Sequence, residues 1–159
     1  MQESRSSIEM VMEFHKTFGH PIGDKPMIPT EDRVSFRIKM LEDEIQEGID
    51  AIELNDLVEL ADALGDIQYF LDGFFIESGL QDKKHAIMTE IHRSNMSKLC
   101  KDEGECVATI KLRGENSSEV MSYAQVGNFW KVYKVSDTKI VKSINFSPPE
   151  LNAIIYGIE

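Results

Sequence analysis

Carboxylates whose spacing suits metal binding dominate one stretch of this 159-residue sequence. Residues 41–82 are rich in Asp and Glu and contain no Lys, Arg or His. Within this stretch two sets of acidic residues have i, i+3 or i, i+4 spacing, which places each set on one face of a helix. The first set is Asp43, Glu44 and Glu47, and the second set is Asp62 and Asp66. Because carboxylate oxygens suit hard cations, two such faces opposite each other predict a site for Mg²⁺, with Mn²⁺ as a second possibility.

The expected burial of these carboxylates is a second reason to predict a metal. The predicted helix 57–77 is apolar around most of its circumference, which is typical of a buried helix. We therefore expect Asp62 and Asp66 to face protein, where an unpaired carboxylate is costly. The alternative to a metal site is that these carboxylates form a solvated acidic face. This alternative applies above all to the helix that carries the first set. We interpret four other carboxylates of the stretch as ordinary surface charge, namely Glu53, Asp56, Asp72 and Glu77.

Two kinds of metal chemistry use carboxylates on bundled helices. Di-iron bundle proteins need Glu-x-x-His pairs, which this sequence lacks. Magnesium-assisted phosphoryl chemistry remains, in which the ion neutralises phosphate oxygens and helps ionise an attacking water. A polyphosphate also needs positive donors, and the segment HRSNMSK supplies Arg93, Asn95 and Lys98. The alternative is that these three residues simply form the polar C-terminal end of a helix, where the helix dipole favours cationic side chains.

Three segments, DEIQE, ELADALGDIQYFLDG and IHRSNMSKL, together resemble the MazG-like, all-α nucleoside triphosphate pyrophosphohydrolases. This superfamily includes the phosphoribosyl-ATP pyrophosphohydrolases. The resemblance implies Mg²⁺-dependent hydrolysis of the α–β phosphoanhydride of a nucleotide, with release of pyrophosphate. It also implies a helical bundle that assembles as a homodimer or homotetramer.

The first motif of that superfamily, E-E-x-x-E, corresponds to residues 43–47. Asp43 takes the place of the first Glu and keeps its charge with a shorter reach. The resemblance implies that Asp43, Glu44 and Glu47 bind metal, and that Glu44 and Glu47 take part in catalysis.

The second motif, E-x-x-D, occurs literally as Glu59-Leu60-Ala61-Asp62, but the segment LGDIQYF aligns best with the superfamily and we prefer that position, where the motif is incomplete. Its Asp corresponds to Asp66, which leaves Ala63 at the position of the Glu. We expect Asp62, also one turn before Asp66, to act as the substitute ligand. Asn95 and Lys98 match positions that contact phosphate in the superfamily.

Three functions are consistent with these features. The leading hypothesis is Mg²⁺-dependent hydrolysis of a nucleoside triphosphate to a nucleoside monophosphate and pyrophosphate. A second is a non-catalytic nucleotide- or metal-binding helical oligomer that has lost part of its metal site at Ala63. The third is a structural oligomer with an acidic surface.

Apolar periodicity and turn residues predict the elements that position these side chains. We predict a mainly α fold, a four-helix MazG-like bundle followed by a small antiparallel β-meander and a terminal helix. The four helices are expected at residues 6–19, 31–53, 57–77 and 82–99. Three β-rich segments after Cys100 predict the meander, and Pro148 and Pro149 open the terminal helix. The predicted domains are residues 1–103 and 104–159.

The overall composition narrows the classes of partner and the compartment. A net charge of −11 argues against a nucleic-acid or anionic-membrane surface. No apolar run reaches the length of a membrane-spanning helix, and the start MQESRSSIEM does not resemble a secretory signal. Cys100 and Cys106 lack further metal-ligand partners and are expected to be free thiols in a reducing cytoplasm.

Overall fold

The computed structural model describes residues 5–115 and 117–157. It is mainly helical, with a two-stranded antiparallel sheet and a terminal helix, which confirms the predicted fold class. The chain divides into two compact units, residues 1–84 and 85–159. This boundary lies earlier in the chain than position 103, where the sequence predicts a domain boundary, and the domain assignment stays a prediction.

Local capping signals define helix α1, Ser7–Phe18. The Glu9 carboxylate accepts hydrogen bonds from the backbone N–H and the hydroxyl of Ser6, both at 2.7 Å. Gly19 ends the helix in the left-handed region at φ 71°, which glycine adopts without steric cost. The helix therefore begins and ends where the sequence predicts.

Helices α2, Glu31–Leu54, and α3, Leu57–Glu77, form a hairpin whose arms pack on each other. The turn between them uses Asn55 in the left-handed region and Asp56 as the cap of α3. The Asp56 carboxylate accepts hydrogen bonds from the N–H groups of Val58 and Glu59. Asp56 is thus a helix cap, which corrects its interpretation as ordinary surface charge.

The apolar surfaces of α2 and α3 are mostly exposed in the single chain. On α3, Leu57 is 77% exposed and Val58 is 76% exposed, so the expectation of a buried helix is wrong for the single chain. On α2, Ile38, Ile45, Ile49 and Ile52 are also exposed, whereas Gly48 and Ala51 are buried. The reason is that α2 approaches α3 through small residues, which leaves its larger aliphatic side chains on the surface.

A buried ionic network links α2 to the end of α3. Glu77 is 4% exposed and accepts hydrogen bonds from Arg37 Nη2 at 2.6 Å and from Arg33 Nη2 at 2.5 Å. Burial alone would raise the pKa of Glu77, but the hydrogen bonds from the two arginines hold it below its usual value. Glu77 is therefore not the surface charge that the sequence pattern indicates.

Asp72 is also buried, against the same expectation. Its side chain is fully buried and forms a salt bridge with Lys84, whose ammonium also donates to the Ser7 hydroxyl at 3.3 Å. A short 3₁₀ turn, Gln81–Lys83, precedes Lys84. These contacts tie α1 and α3 to the end of the first unit.

The second unit contains two helices before its sheet. Helix α4 spans Lys84–Met96, so it begins after a 3₁₀ turn and ends before residue 99. Helix α5, Glu103–Gly114, has no counterpart among the predicted elements. Asp102 caps it by accepting a hydrogen bond from the Glu105 N–H at 2.8 Å. Its mixed polar and apolar pattern gave no clear periodic signal.

The sheet consists of β1, Met121–Val126, and β2, Phe129–Lys134, joined by a turn at Gly127-Asn128. The predicted third strand is absent from the described chain, because after one bridge at Ile140 the backbone leaves β2. Further along, Ser143 donates from its hydroxyl to the Ser97 carbonyl, and the Ile144 N–H donates to the Thr109 hydroxyl. Helix α6, Leu151–Tyr156, is the predicted terminal helix.

Cys100 and Cys106 lie in the small core of the second unit with Val132 and Val141. Both are free thiols, as predicted. Burial raises the pKa of Cys106 to about 12, so this thiol is chemically quiet at neutral pH. Among the described residues, no helix combines the length and apolar character that a membrane span requires.

Candidate active site

The five predicted carboxylates lie on the two helices of the hairpin. Asp43, Glu44 and Glu47 are on α2, and Asp62 and Asp66 are on α3. Glu44 is half-buried, whereas the other four are exposed. The exposure of Asp62 and Asp66 corrects the expectation that they face protein within the chain.

The electrostatics of Glu44 show that the two acidic sets interact. Its pKa is raised, first by partial burial and then by the negative charges of Glu47, Asp66, Asp62 and Asp43. Two of these charges belong to α2 and two belong to α3. We call the five carboxylates the acidic cluster, and their convergence on one metal stays a prediction.

The donor chemistry of the acidic cluster fits a hard divalent cation. Its oxygens are all carboxylate oxygens, and a cation there would relieve the repulsion that raises the pKa of Glu44. No three His, Cys, Asp or Glu side chains within the described ranges are already gathered closely enough to hold a metal. The exposed carboxylates would therefore have to change rotamer to share an ion.

One protein cation lies beside the acidic cluster. Lys39 Nζ is 2.9 Å from Asp43 Oδ2, one helical turn before it on α2. This cation comes from the turn of α2 that precedes residues 41–82, which themselves contain no Lys, Arg or His. Since both side chains are exposed, this pair contributes little to stability, about 0–1 kcal/mol.

Ala63, the residue at the incomplete motif position, takes part in helix packing. It is buried, and a Cβ added to Gly48 would lie 3.6 Å from its own Cβ. Asp62, the neighbouring residue, is among the charges that act on Glu44. This arrangement is consistent with Asp62 as the substitute carboxylate, which stays a prediction.

A cavity of about 310 Å³ lies within the first unit and was not predicted from the sequence. Its rings come from α1, the following loop, α2 and α3, and they are Phe14, His15, His20, Phe36, Tyr69 and Phe70. Burial raises the pKa of Tyr69 first, and the charges of Glu13 and Asp66 raise it further. Asp66 does not line the cavity, but it lies one turn before Phe70 on α3, so the acidic cluster and the cavity are adjacent along this helix.

One sequence feature points to the aromatic cavity, but it has two interpretations. Phe70 continues the stripe of α3 that carries Asp62 and Asp66, and a ring at that spacing is as consistent with core packing as with a ligand pocket. The contributions of Phe14 and His20 depend on how α1 and its loop pack on the hairpin. No local pattern encodes that packing.

A second cavity, of about 460 Å³, lies on the outer side of α1. Arg5 and Lys16 line it together with Glu9, Glu13 and Asp82. None of the five predicted carboxylates contributes to it, so it is separate from the acidic cluster.

The predicted phosphate-binding residues belong to the second unit. Lys98 Nζ donates to Asn95 Oδ1 at 2.7 Å, so these two residues share a face as predicted. Arg93 is engaged elsewhere, with hydrogen bonds to Glu90, to the Ser147 hydroxyl and to the Pro148 carbonyl. Its guanidinium therefore has a structural role in this unit.

The fold is mainly α, and two neighbouring helices each carry a set of carboxylates. These features are typical of helical proteins whose sites are built from carboxylate side chains. The sequence profile of the phosphoribosyl-ATP pyrophosphohydrolase family matches residues 11–95, more than half of the chain. The chain belongs to this family, within the MazG-like all-α nucleoside triphosphate pyrophosphohydrolases. Membership indicates nucleotide pyrophosphohydrolase activity in general. The chain is also similar to the uncharacterized protein L479 of Acanthamoeba polyphaga mimivirus, with 25% identity across 96% of this chain and 97% of that protein.

Proposed function

We propose that this protein hydrolyses a nucleoside triphosphate at the α–β phosphoanhydride in the presence of Mg²⁺, giving a nucleoside monophosphate and pyrophosphate. The observation that carries the proposal is the acidic cluster, whose five carboxylates lie on two helices, α2 and α3, that pack on each other. All five carboxylates lie within the segment that matches the family profile.

The residues that would hold Mg²⁺ are those of the acidic cluster, Asp43, Glu44, Glu47, Asp62 and Asp66. When bound, the ion neutralises phosphate oxygens and helps ionise the attacking water. Mn²⁺ has the same preference for carboxylate ligands and is the expected substitute.

Glu44 and Glu47 are the proposed catalytic residues. Glu44 is the half-buried member of the acidic cluster, and carboxylates of both α2 and α3 act on it. We therefore assign to Glu44 the transfer of a proton from the attacking water to a carboxylate oxygen. Glu47 follows it at i+3 spacing on the same face of α2.

Asn95 and Lys98 remain the proposed phosphate donors. Their mutual hydrogen bond holds an amide and an ammonium together, and both groups can donate to phosphate oxygens. We assign Arg93 a smaller part in substrate binding, since Glu90 and residues 147–148 already engage its donors.

The alternative is a nucleotide- or metal-binding helical oligomer without turnover. The burial of Ala63 against Gly48 is the observation that favours it, because the motif's carboxylate is missing there. In either case we propose a homodimer or homotetramer in the cytoplasm, without membrane or nucleic-acid partners.

A panel of ribo- and deoxynucleoside triphosphates, incubated with Mg²⁺ and resolved by ion-exchange chromatography, separates the two functions. We expect a monophosphate and pyrophosphate from at least one nucleotide, and loss of both products with Asp66→Asn. Binding without any product supports the alternative. Release of a diphosphate and orthophosphate contradicts the proposed bond.

A further inference from the structure

The aromatic cavity has the size and lining of a site for one flat heterocycle. Its volume of about 310 Å³ is at the lower end of the range for small-molecule pockets, roughly 300–1,000 Å³. Phe14 lies 5.7 Å from Tyr69 and 5.4 Å from His20, measured between ring centroids. Such rings offer faces and edges on which a heterocyclic base packs.

The position of this cavity relative to the acidic cluster matches the layout of a nucleotide. Met40 lines the cavity one turn before Glu44 on α2, and Phe70 lines it one turn after Asp66 on α3. Phosphates at the acidic cluster would therefore place a base in the cavity. This step rests on the proposed function, because it takes the cluster as the phosphate site.

Arg37 provides a fixed hydrogen-bond donor in the cavity wall. It precedes Glu44 by seven residues, or about 10 Å along the helix axis, a length similar to that between the α-phosphate and the far edge of a base. Arg37 is 4% exposed. Nε and Nη2 donate to Glu77 Oε1 at 3.1 and 2.6 Å, and Nη1 makes no hydrogen bond to any residue that the structure describes.

Two neighbours fix the orientation of this guanidinium. His15 Nδ1 donates to the Pro21 carbonyl at 2.7 Å, so its Nε2 is the atom that accepts from Arg37 Nη2 at 2.9 Å. Gly73 packs on the guanidinium so closely that an added Cβ would overlap it. The Arg37 side chain is therefore held in place before any ligand binds.

The charge balance of the network favours an acceptor from a ligand. Arg33 and Arg37 share the single carboxylate of Glu77, which leaves excess positive charge in a buried setting. Arg33 is more exposed and does not line the cavity. Arg37 is thus the arginine that a ligand in the cavity meets.

We propose that the aromatic cavity binds the base of the nucleotide and that Arg37 selects bases with a carbonyl oxygen on the edge opposite the sugar. Uracil, thymine and guanine carry this oxygen, whereas cytosine and adenine carry an amino group there. A guanidinium only donates hydrogen bonds, so an amino group would place donor against donor. One mismatched buried hydrogen bond corresponds to about tenfold or more in affinity.

The test compares binding of the α,β-methylene analogues of UTP and CTP with Mg²⁺ by isothermal titration calorimetry. These analogues resist cleavage at the α–β bond, so their affinities do not depend on turnover. We expect the uridine analogue to bind at least tenfold more tightly than the cytidine analogue. Equal affinities, or no binding of either analogue, overturn the proposal with the wild-type protein alone.

Arg37→Gln and Arg33→Gln form a matched pair, since each removes one partner of Glu77 and one positive charge. We expect the ratio of the two affinities, uridine analogue over cytidine analogue, to fall to near one in Arg37→Gln and to stay at its wild-type value in Arg33→Gln. A preference that survives in Arg37→Gln, or disappears equally in both, overturns the proposal. Selective binding without hydrolysis of any nucleotide refutes the proposed function alone, and hydrolysis with equal base affinities refutes this inference alone.

Discussion

Asp62 and Asp66 lie one turn apart on α3, and both act on the Glu44 carboxyl. If Asp62 substitutes for the carboxylate missing at Ala63, Asp62→Ala should impair turnover nearly as much as Asp66→Ala. Loss of a metal ligand is expected to reduce the rate on the order of a thousandfold. Steady-state kinetics measure this, with Glu59→Ala as the control because Glu59 lies two turns from Asp66.

We expect the Glu59→Ala control to show a milder loss, with the fold of all three variants verified by circular dichroism. Wild-type turnover in Asp62→Ala beside an inactive Asp66→Ala would refute the substitute-ligand role. Residue spacing predicted that Asp43, Glu44 and Glu47 share a face of α2 and that Asp62 and Asp66 share a face of α3, because i, i+4 geometry is local. The Lys39–Asp43 pair has the same i, i+4 spacing and was overlooked because Lys39 precedes residues 41–82. The aromatic rings beside Asp66 were not predicted, since they depend on the packing of α1.

At the scale of elements, the end of α3 depends on a buried ionic network. Glu77→Gln should lower the free energy of unfolding by about 3–5 kcal/mol, because it leaves Arg33 and Arg37 without their carboxylate. Chemical denaturation at neutral pH measures the loss. Glu13→Gln, which breaks the exposed pair between Arg5 and Glu13, should change stability by less than about 1 kcal/mol.

The same network predicts a pH dependence with a defined sign. The folded-state pKa of Glu77 lies below its ordinary value of 4.5, so the unfolded state takes up the proton first as the pH falls. The contribution of Glu77 is therefore fully present above about pH 4.5 and is lost as the pH falls through the folded pKa. The stability difference between wild type and Glu77→Gln should shrink in that range. A constant difference would contradict the assignment.

Local signals predicted the element boundaries well, and non-local ones were missed. Gly19 ends α1 through its own backbone chemistry, so the sequence located that end. The start of α3 was also located, but the Asp56 cap that fixes it was interpreted as surface charge. Helix α5 was not predicted from the sequence, because its few buried residues, Cys106 and Thr109, do not produce a clear helical period of apolar residues. The interpretation of Glu77 as surface charge was wrong because its partners, Arg33 and Arg37, lie far away in the sequence on α2. The apolar period of a single helix contains no information about such distant partners.

At the scale of the whole molecule, the exposed apolar faces of α2 and α3 predict self-association. Light scattering at micromolar concentration should give at least a dimer, because burial of these faces is favourable at roughly 25 cal/mol per Å². Val58→Lys, at a residue 76% exposed on α3, should weaken the assembly. Val107→Lys, at a residue 54% exposed on α5, is the control that should leave it intact. A wild-type monomer would contradict the prediction.

Metal binding to the folded protein should raise its melting temperature by mass action. With millimolar Mg²⁺ or Mn²⁺ we expect a rise of roughly 2–4 °C for each kcal/mol of binding free energy, reversed by EDTA. Differential scanning fluorimetry measures the shift. Asp66→Asn should reduce it, whereas Glu53→Gln, an exposed carboxylate elsewhere on α2, should retain it. An unchanged melting temperature with either ion would argue against a metal site.

The proposed function requires that water attacks the α-phosphorus of a nucleoside triphosphate. Hydrolysis in ¹⁸O-labelled water with Mg²⁺, followed by mass spectrometry of both products, identifies the phosphorus that is attacked. We expect the label in the nucleoside monophosphate and an unlabelled pyrophosphate. Label in the pyrophosphate, a diphosphate with orthophosphate as products, or no turnover of any nucleotide would contradict it.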